Sequence, residues 1–171
     1  VDKDGSCLHV WDVLGFGFVE VGTIVRHFQS PNPGIIIRRG KDVLWNAMGF
    51  PSSGYLRVKN NLETYRKSGG KNYIIASLGA NRNVQDFQQI SIDISMMMEE
   101  LSELVNAYSI NFASPNTKNL REKMKDEAFE KLLINLRAVT SKKIYLKLHP
   151  DFESDESLHQ AVNLVNVAKF D

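Results

Sequence analysis

Thiols are nearly absent. The only cysteine among 171 residues is Cys7, which rules out an internal disulfide or a cysteine-rich metal site and fits a reducing compartment. Its place in a helix predicted over residues 5–14 makes it a small buried hydrophobe. Long apolar runs are missing too, and none approaches the roughly 18 residues of a membrane span. Charge of one sign is not in excess: Lys and Arg number 21 against 20 Asp and Glu. That balance supplies no broad basic face for nucleic acid. The short basic clusters, Arg38 and Arg39 with Lys41, and Lys123 with Lys125, read as solvated surface. The four histidines, His9, His27, His149 and His159, are scattered, and no His/Asp/Glu group has metal-ligand spacing. The dinucleotide fingerprint is also missing, because Gly15 and Gly17 lead into a strand rather than out of one. There is no internal repeat and no low-complexity segment.

What is present is an ordinary globular composition, 43% hydrophobic and 24% charged, in a length that suits one domain with a real core. Short, mostly apolar segments at 18–25, 72–78, 107–112 and 144–148 are predicted strands buried on both faces. Helical periodicity occupies 83–105, with Phe87, Ile90, Ile94, Met97, Leu101 and Leu104 on one stripe. Asn83 and Asp86 are the candidate caps there. Further helices are predicted over 126–140 and 154–169, and a weaker one over 52–68 stops at Gly69 and Gly70. Met96, Met97 and Met98 read as core filling. Residues 26–45 form the longest irregular stretch, of the kind that is often functional. Strand–helix alternation calls for a parallel sheet with right-handed crossovers, and two architectures fit it: a doubly wound sheet and a (β/α) barrel. The opening, Val1 to Gly5, looks like the tail of a strand, and the closing residues look like the end of a helix. Both ends look cut, so the expectation is a piece of a longer protein.

The polar residues fall at the C-terminal ends of the strands. Lys3 follows the clipped first strand. Thr23 closes the next behind Gly22. Ser77 comes third, with Gly79 and Asn81 beyond it. Asn111, Ser114, Asn116 and Thr117 follow the fourth, and Lys147 sits near the end of the fifth, ahead of His149. Both parallel architectures put binding sites at that edge. Singly, Thr23 or Ser77 is more often a capping hydroxyl, and it is the convergence of five strand ends that points to a site. Asn carboxamides offer a donor and an acceptor each, which suits a planar ring bearing amides and carbonyls. The lysines suit an anionic group. A serine hydroxyl is a weak base and needs a partner or water to relay its proton, so Ser114 is a candidate catalyst only.

Several blocks together, LGFGFVEVGT (14–23), NAMGFPSSG (46–54), SLGANR (77–82), NFASPNTKNLR (111–121) and LKLHPDF (146–152), resemble dihydroorotate dehydrogenases. The likeness runs over nearly the whole chain. It implies an α/β (β/α)8 TIM-barrel fold, of which residues 1–171 form a single partial barrel domain of about five strands, without the C-terminal strands. It implies FMN at the C-terminal rim. It implies Ser114 as the base that takes the C5 proton of dihydroorotate while hydride leaves C6 for the flavin. Serine rather than cysteine at that position marks the membrane-associated, quinone-reducing form. Lys3, Asn46, Gly49, Phe50, Asn111, Asn116 and Thr117 would surround the substrate, with Thr117 supporting the base. Thr23, Ser77, Asn111 and Lys147 would touch FMN, and Lys147 would share in catalysis. The family usually has asparagine where Ser77 stands and a serine where Ala113 stands, and residues 25–39 depart from its usual pattern. No metal and no nucleic-acid partner is implied.

Further expectations follow. Dihydroorotate, orotate and a quinone are the partners. The protein would be peripheral to an inner membrane, at the bacterial cytoplasmic face or in the mitochondrion, through a region outside this chain. A typical barrel takes about 250 residues, so a second half is needed to close the sheet edges. A second reading makes the chain a non-catalytic fragment or paralogue acting as a binding or assembly module. A third, a barrel flavin reductase acting on tRNA uracils, needs a basic RNA face, which the charge balance does not provide.

Overall fold

The computed structural model describes residues 2–113, 127–149 and 154–171. Its main sheet has four parallel strands, β1 (Val19–Ile24), β4 (Ile74–Leu78), β5 (Ala107–Asn111) and β6 (Lys143–Lys147), in the order β1-β4-β5-β6. Between them run α2 (Tyr55–Lys67), α3 (Phe87–Glu100) and α4 (Glu127–Val139), and α5 (Asp155–Val167) follows β6. A short helix α1 (Leu8–Val13) precedes β1. On the free side of β1, Asp2 forms an isolated parallel bridge to Val21, as expected for a strand tail there.

Register explains the core. Val21 pairs with Ala76, Ala76 with Tyr108 and Tyr108 with Ile144, so these residues share one face of the pleat. That face is apolar, and it forms one buried cluster with Val58 and Leu62 of α2, Ile94 and Met97 of α3, and Phe129 and Leu133 of α4. The other face carries Glu20, Ile75, Ala107 and Lys143 in one row, and Gly22, Ser77, Ser109 and Tyr145 in the next. Glu20 and Lys147 form an ion pair although two strands separate β1 from β6. The sheet therefore curls, and this face is its concave side. Glu20 lies in the ladder row of Lys143, so the pair is offset by four residues across three strand steps. Tilted barrel strands shift by about one residue per step.

Gly22 is required where it stands. Its φ is 129°, and a Cβ there would lie 2.4 Å from the Ser77 carbonyl oxygen. The ladder then shifts between Gly22 and Ile24, a bulge that leaves Thr23 without a ladder partner.

Three expectations need correction. Cys7 is exposed, because α1 begins only at Leu8 and Cys7 sits outside it at the N-cap. Residues 26–45 are not wholly irregular: β2 (Ile37–Arg39) and β3 (Leu44–Asn46) pair as an antiparallel hairpin, all six residues exposed. Asp86 alone caps α3, its carboxylate accepting from the Gln89 N–H at 2.8 Å, and Asn83 lies in the turn before it. The methionine reading holds, with Met97 and Met98 fully buried in the core.

Candidate functional site

The concave face and the C-terminal ends of its strands assemble a polar cluster. The Asn111 carboxamide, ending β5, donates to the Thr23 hydroxyl at the β1 bulge at 2.8 Å. Asn111 is also the ladder partner of Lys147, which ends β6. Lys3 enters from the bridge beside β1, where the Gly22 N–H donates to the Asp2 carbonyl at 2.9 Å. Burial first, and the nearby Lys147 ammonium second, hold Lys3 below the ordinary lysine value of 10.5. Two ammonium groups therefore face the same space. Ser77 is fully buried on the ladder beside Gly22, and its hydroxyl oxygen finds no hydrogen-bond partner among the described residues.

An apolar wall closes one side. Gly79 lies so close to Thr23 that a Cβ would meet the threonine methyl at 2.8 Å and the Phe50 ring at 3.6 Å. Phe50 has φ 53°, and its strained turn is clamped from behind. Gln29 donates its amide to the carbonyls of Gly49 and Phe50 at 3.1 and 2.9 Å, and Arg82 donates to the Gly49 carbonyl at 2.9 Å. Asn81 fastens the segment that carries Gln29 by accepting from the His27 N–H at 3.0 Å.

Of the residues singled out from sequence, Lys3, Thr23, Ser77, Asn111, Lys147 and Phe50 come together, with Gly49 in the supporting turn. Asn46 lies on the exposed hairpin, at the end of β3 and paired with Ile37. Ser114, Asn116 and Thr117 lie outside the described residues. Sequence reading missed two contributors. Glu20, a lone carboxylate in the apolar run VEVGTI, pairs with Lys147. Gln29, in the stretch read as irregular, is buried and organises the turn under Phe50. Among the described residues no group of His, Cys, Asp and Glu could hold a metal ion. What the cluster can do is hold a planar, hydrogen-bonding ring against Phe50 and Gly79 with cationic charge at its edge.

Comparison with known proteins places the chain among one family. The family model for dihydroorotate dehydrogenase matches residues 1–171. A dihydroorotate dehydrogenase (quinone) from Sulfurimonas denitrificans is 33% identical over 92% of this chain and 44% of its own length. One from Vibrio vulnificus is 30% identical over 97% of this chain and 52% of its own. Among solved structures, DHODH from Eimeria tenella in complex with ferulenol superposes with a TM-score of 0.87 at 24% identity, covering 99% of this chain and 52% of that one. The chain thus spans about half the length of the relatives it matches.

Proposed function

The chain belongs to the dihydroorotate dehydrogenase family, and on that premise we propose that it supplies the substrate-facing and flavin-facing part of an FMN enzyme that oxidises dihydroorotate to orotate. The observation that carries this reading is the contact chain from Thr23 through Asn111 to Lys147, closed by Lys3. The residues fit the cofactor's ring. The Ser77 hydroxyl is a buried polar atom without a partner among the described residues, and such an atom calls for one. Gly79 lets Thr23, Asn111 and Phe50 approach one another closely beside it.

In this reading Thr23, Ser77, Asn111 and Lys147 hold FMN, which when bound supplies the hydride acceptor. Lys3, Phe50 and Asn111 border dihydroorotate, with Gly49 in the turn beneath Phe50 and with Asn116 and Thr117 assigned to the same substrate; Asn46, on the exposed hairpin, lies apart from this cluster. Ser114 takes the proton from C5, with Thr117 supporting it, since a hydroxyl needs help to act as a base. Lys147 faces the negative charge that develops at the ring edge, and an ammonium already in place there stabilises it. Phe50 and its clamped turn exclude water from one side.

The electron acceptor is a quinone. Serine at position 114 and relatives named for quinone both favour this. Among the described residues no helix is long and apolar enough to cross a membrane; the peripheral membrane contact of this reading is assigned to a region outside this chain. The chain spans about half the length of those relatives, and this reading assigns the rest of the cofactor site to a second half of the barrel. A second reading is a non-catalytic binding or assembly piece.

Colour separates the two. The purified protein containing this chain is expected to be yellow, with its flavin absorbance bleached by dihydroorotate, and a colourless protein favours the second reading. Ser114→Ala should slow flavin reduction by about 10²-fold or more while orotate binding stays near normal. An unchanged rate removes Ser114 as the base.

A further inference from the structure

A carboxylate inside an apolar strand is costly unless it is paired. Glu20 sits in VEVGTI between Val19 and Val21, which are both buried in the core. Its backbone is locked, since the Asp2 N–H donates to its carbonyl at 2.8 Å and it pairs with Ile75 in the ladder. The side chain points to the concave face and meets the Lys147 ammonium from three strands away. The two ends differ in freedom. Glu20's side chain is 19% exposed and Lys147's is 36%. A lysine is a point charge on a flexible four-carbon stem, and Lys3 presents a second positive charge to the same space, with Lys147 lowering its proton affinity. Without an anchor, repulsion would turn the Lys147 ammonium out to solvent.

We propose that Glu20 is a positioning residue for the cationic edge of the site: its carboxylate holds the Lys147 ammonium over the concave face, against Lys3, and so fixes the positive charge that a flavin bound there meets. This rests on the functional reading above. Glu20 touches neither ring nor substrate and acts only through Lys147. A purely structural staple would instead use the pair to hold the curl of the sheet, and its loss would lower stability without changing the field at the ring.

The test measures the reduction potential of the flavin in the FMN-loaded protein that contains this chain, with thermal midpoints alongside. Glu20→Gln should shift the reduction equilibrium toward the oxidised form by about tenfold, about 30 mV for a two-electron couple. Glu20→Asp keeps the charge but draws it back by one methylene, and it should give a smaller shift of the same sign. It also serves if Glu20→Gln does not fold. In a Lys147→Met background the lowering should vanish, and Glu20→Gln, which there only removes a negative charge, should leave the potential unchanged or raise it. An unchanged or raised potential in the single variants overturns the proposal, as does a lowering that persists in the Lys147→Met background. If the unmutated protein takes up no FMN, the functional reading falls and this inference with it. If FMN binds and Glu20 proves silent, only this inference falls.

Discussion

At Ser77 a hydroxyl is held at zero exposure with no partner among the described residues. Removing an unpaired buried polar atom relieves its desolvation cost. Ser77→Ala is therefore expected to raise the thermal midpoint of the cofactor-free protein by about 2–4 °C, while weakening FMN affinity by about three- to tenfold, the worth of one hydrogen bond. Isothermal titration with FMN decides it, and equal affinities would mean that the hydroxyl serves no cofactor. Lys3 makes the opposite trade. Its proton affinity is lowered by burial and then by Lys147, so between its folded value and 10.5 the unfolded chain holds more protons than the folded one. Stability then rises with pH across that window, and below it the charged Lys3 costs stability. Lys3→Gln should raise the thermal midpoint by only about 1–2 °C, because partial exposure screens the penalty. The same change should weaken orotate binding at neutral pH and flatten its alkaline fall, which in the unmutated protein begins below the ordinary lysine range. An alkaline fall that survives in the variant would place the titrating group elsewhere.

At the scale of elements, β5 is tied to the end of α3. The Tyr108 hydroxyl donates to the Met98 carbonyl at 2.6 Å, and Met98 lies in the last turn of α3, where carbonyls lack helical partners. Burial, then Glu103, pushes the phenol up to about 12. Its contribution is thus present below pH 10 and is lost as pH rises through about 12. Tyr108→Phe should cost about 1–2 kcal/mol by urea titration and leave FMN affinity unchanged, since Tyr108 lies on the helix-facing side of the sheet. Loss of FMN binding would show that the two faces are coupled. The same two-faced pleat explains what was legible in the sequence. The four strands and the helices between them announced themselves because each buries a run of apolar residues. The site was legible because parallel strands must end at one edge, which gathers Thr23, Ser77, Asn111 and Lys147. Glu20 was not legible, because a single charge in VEVGTI carries no sign of a partner 127 residues on. The β2–β3 hairpin was hidden too. Its strands are three residues each and wholly exposed, so no burial period marks them. Cys7 was misjudged by one turn of helix that never forms.

For the whole molecule, the four-stranded sheet has two edges, the outer side of β6 and that of β1 beyond the Asp2 bridge. Some of the exposed large hydrophobics lie on the elements flanking them, and others, among them Phe28, Ile37, Leu44 and Trp45, on and around the β2–β3 hairpin. Val10, Val13, Leu14, Phe16 and Phe18 lie on α1 and the approach to β1, and Leu158, Val162 and Val167 lie on α5 after β6. A closed barrel has no edges, whereas open ones template pairing with other chains. The 171-residue segment expressed alone is therefore expected to self-associate. It should also bind FMN at least about 100-fold more weakly than a chain of the relatives' full length, because a segment about half that length offers fewer and less preorganised donors. Size-exclusion chromatography with light scattering, together with FMN fluorescence titration, tests both parts. Adding the complementary half as a separate polypeptide should return a monodisperse, flavin-binding species, since what the segment lacks is strand partners for β1 and β6. If the isolated segment stays monomeric and binds FMN as tightly as the longer chain, then the curled four-stranded sheet, with the Thr23–Asn111 contact, is enough by itself to build the site.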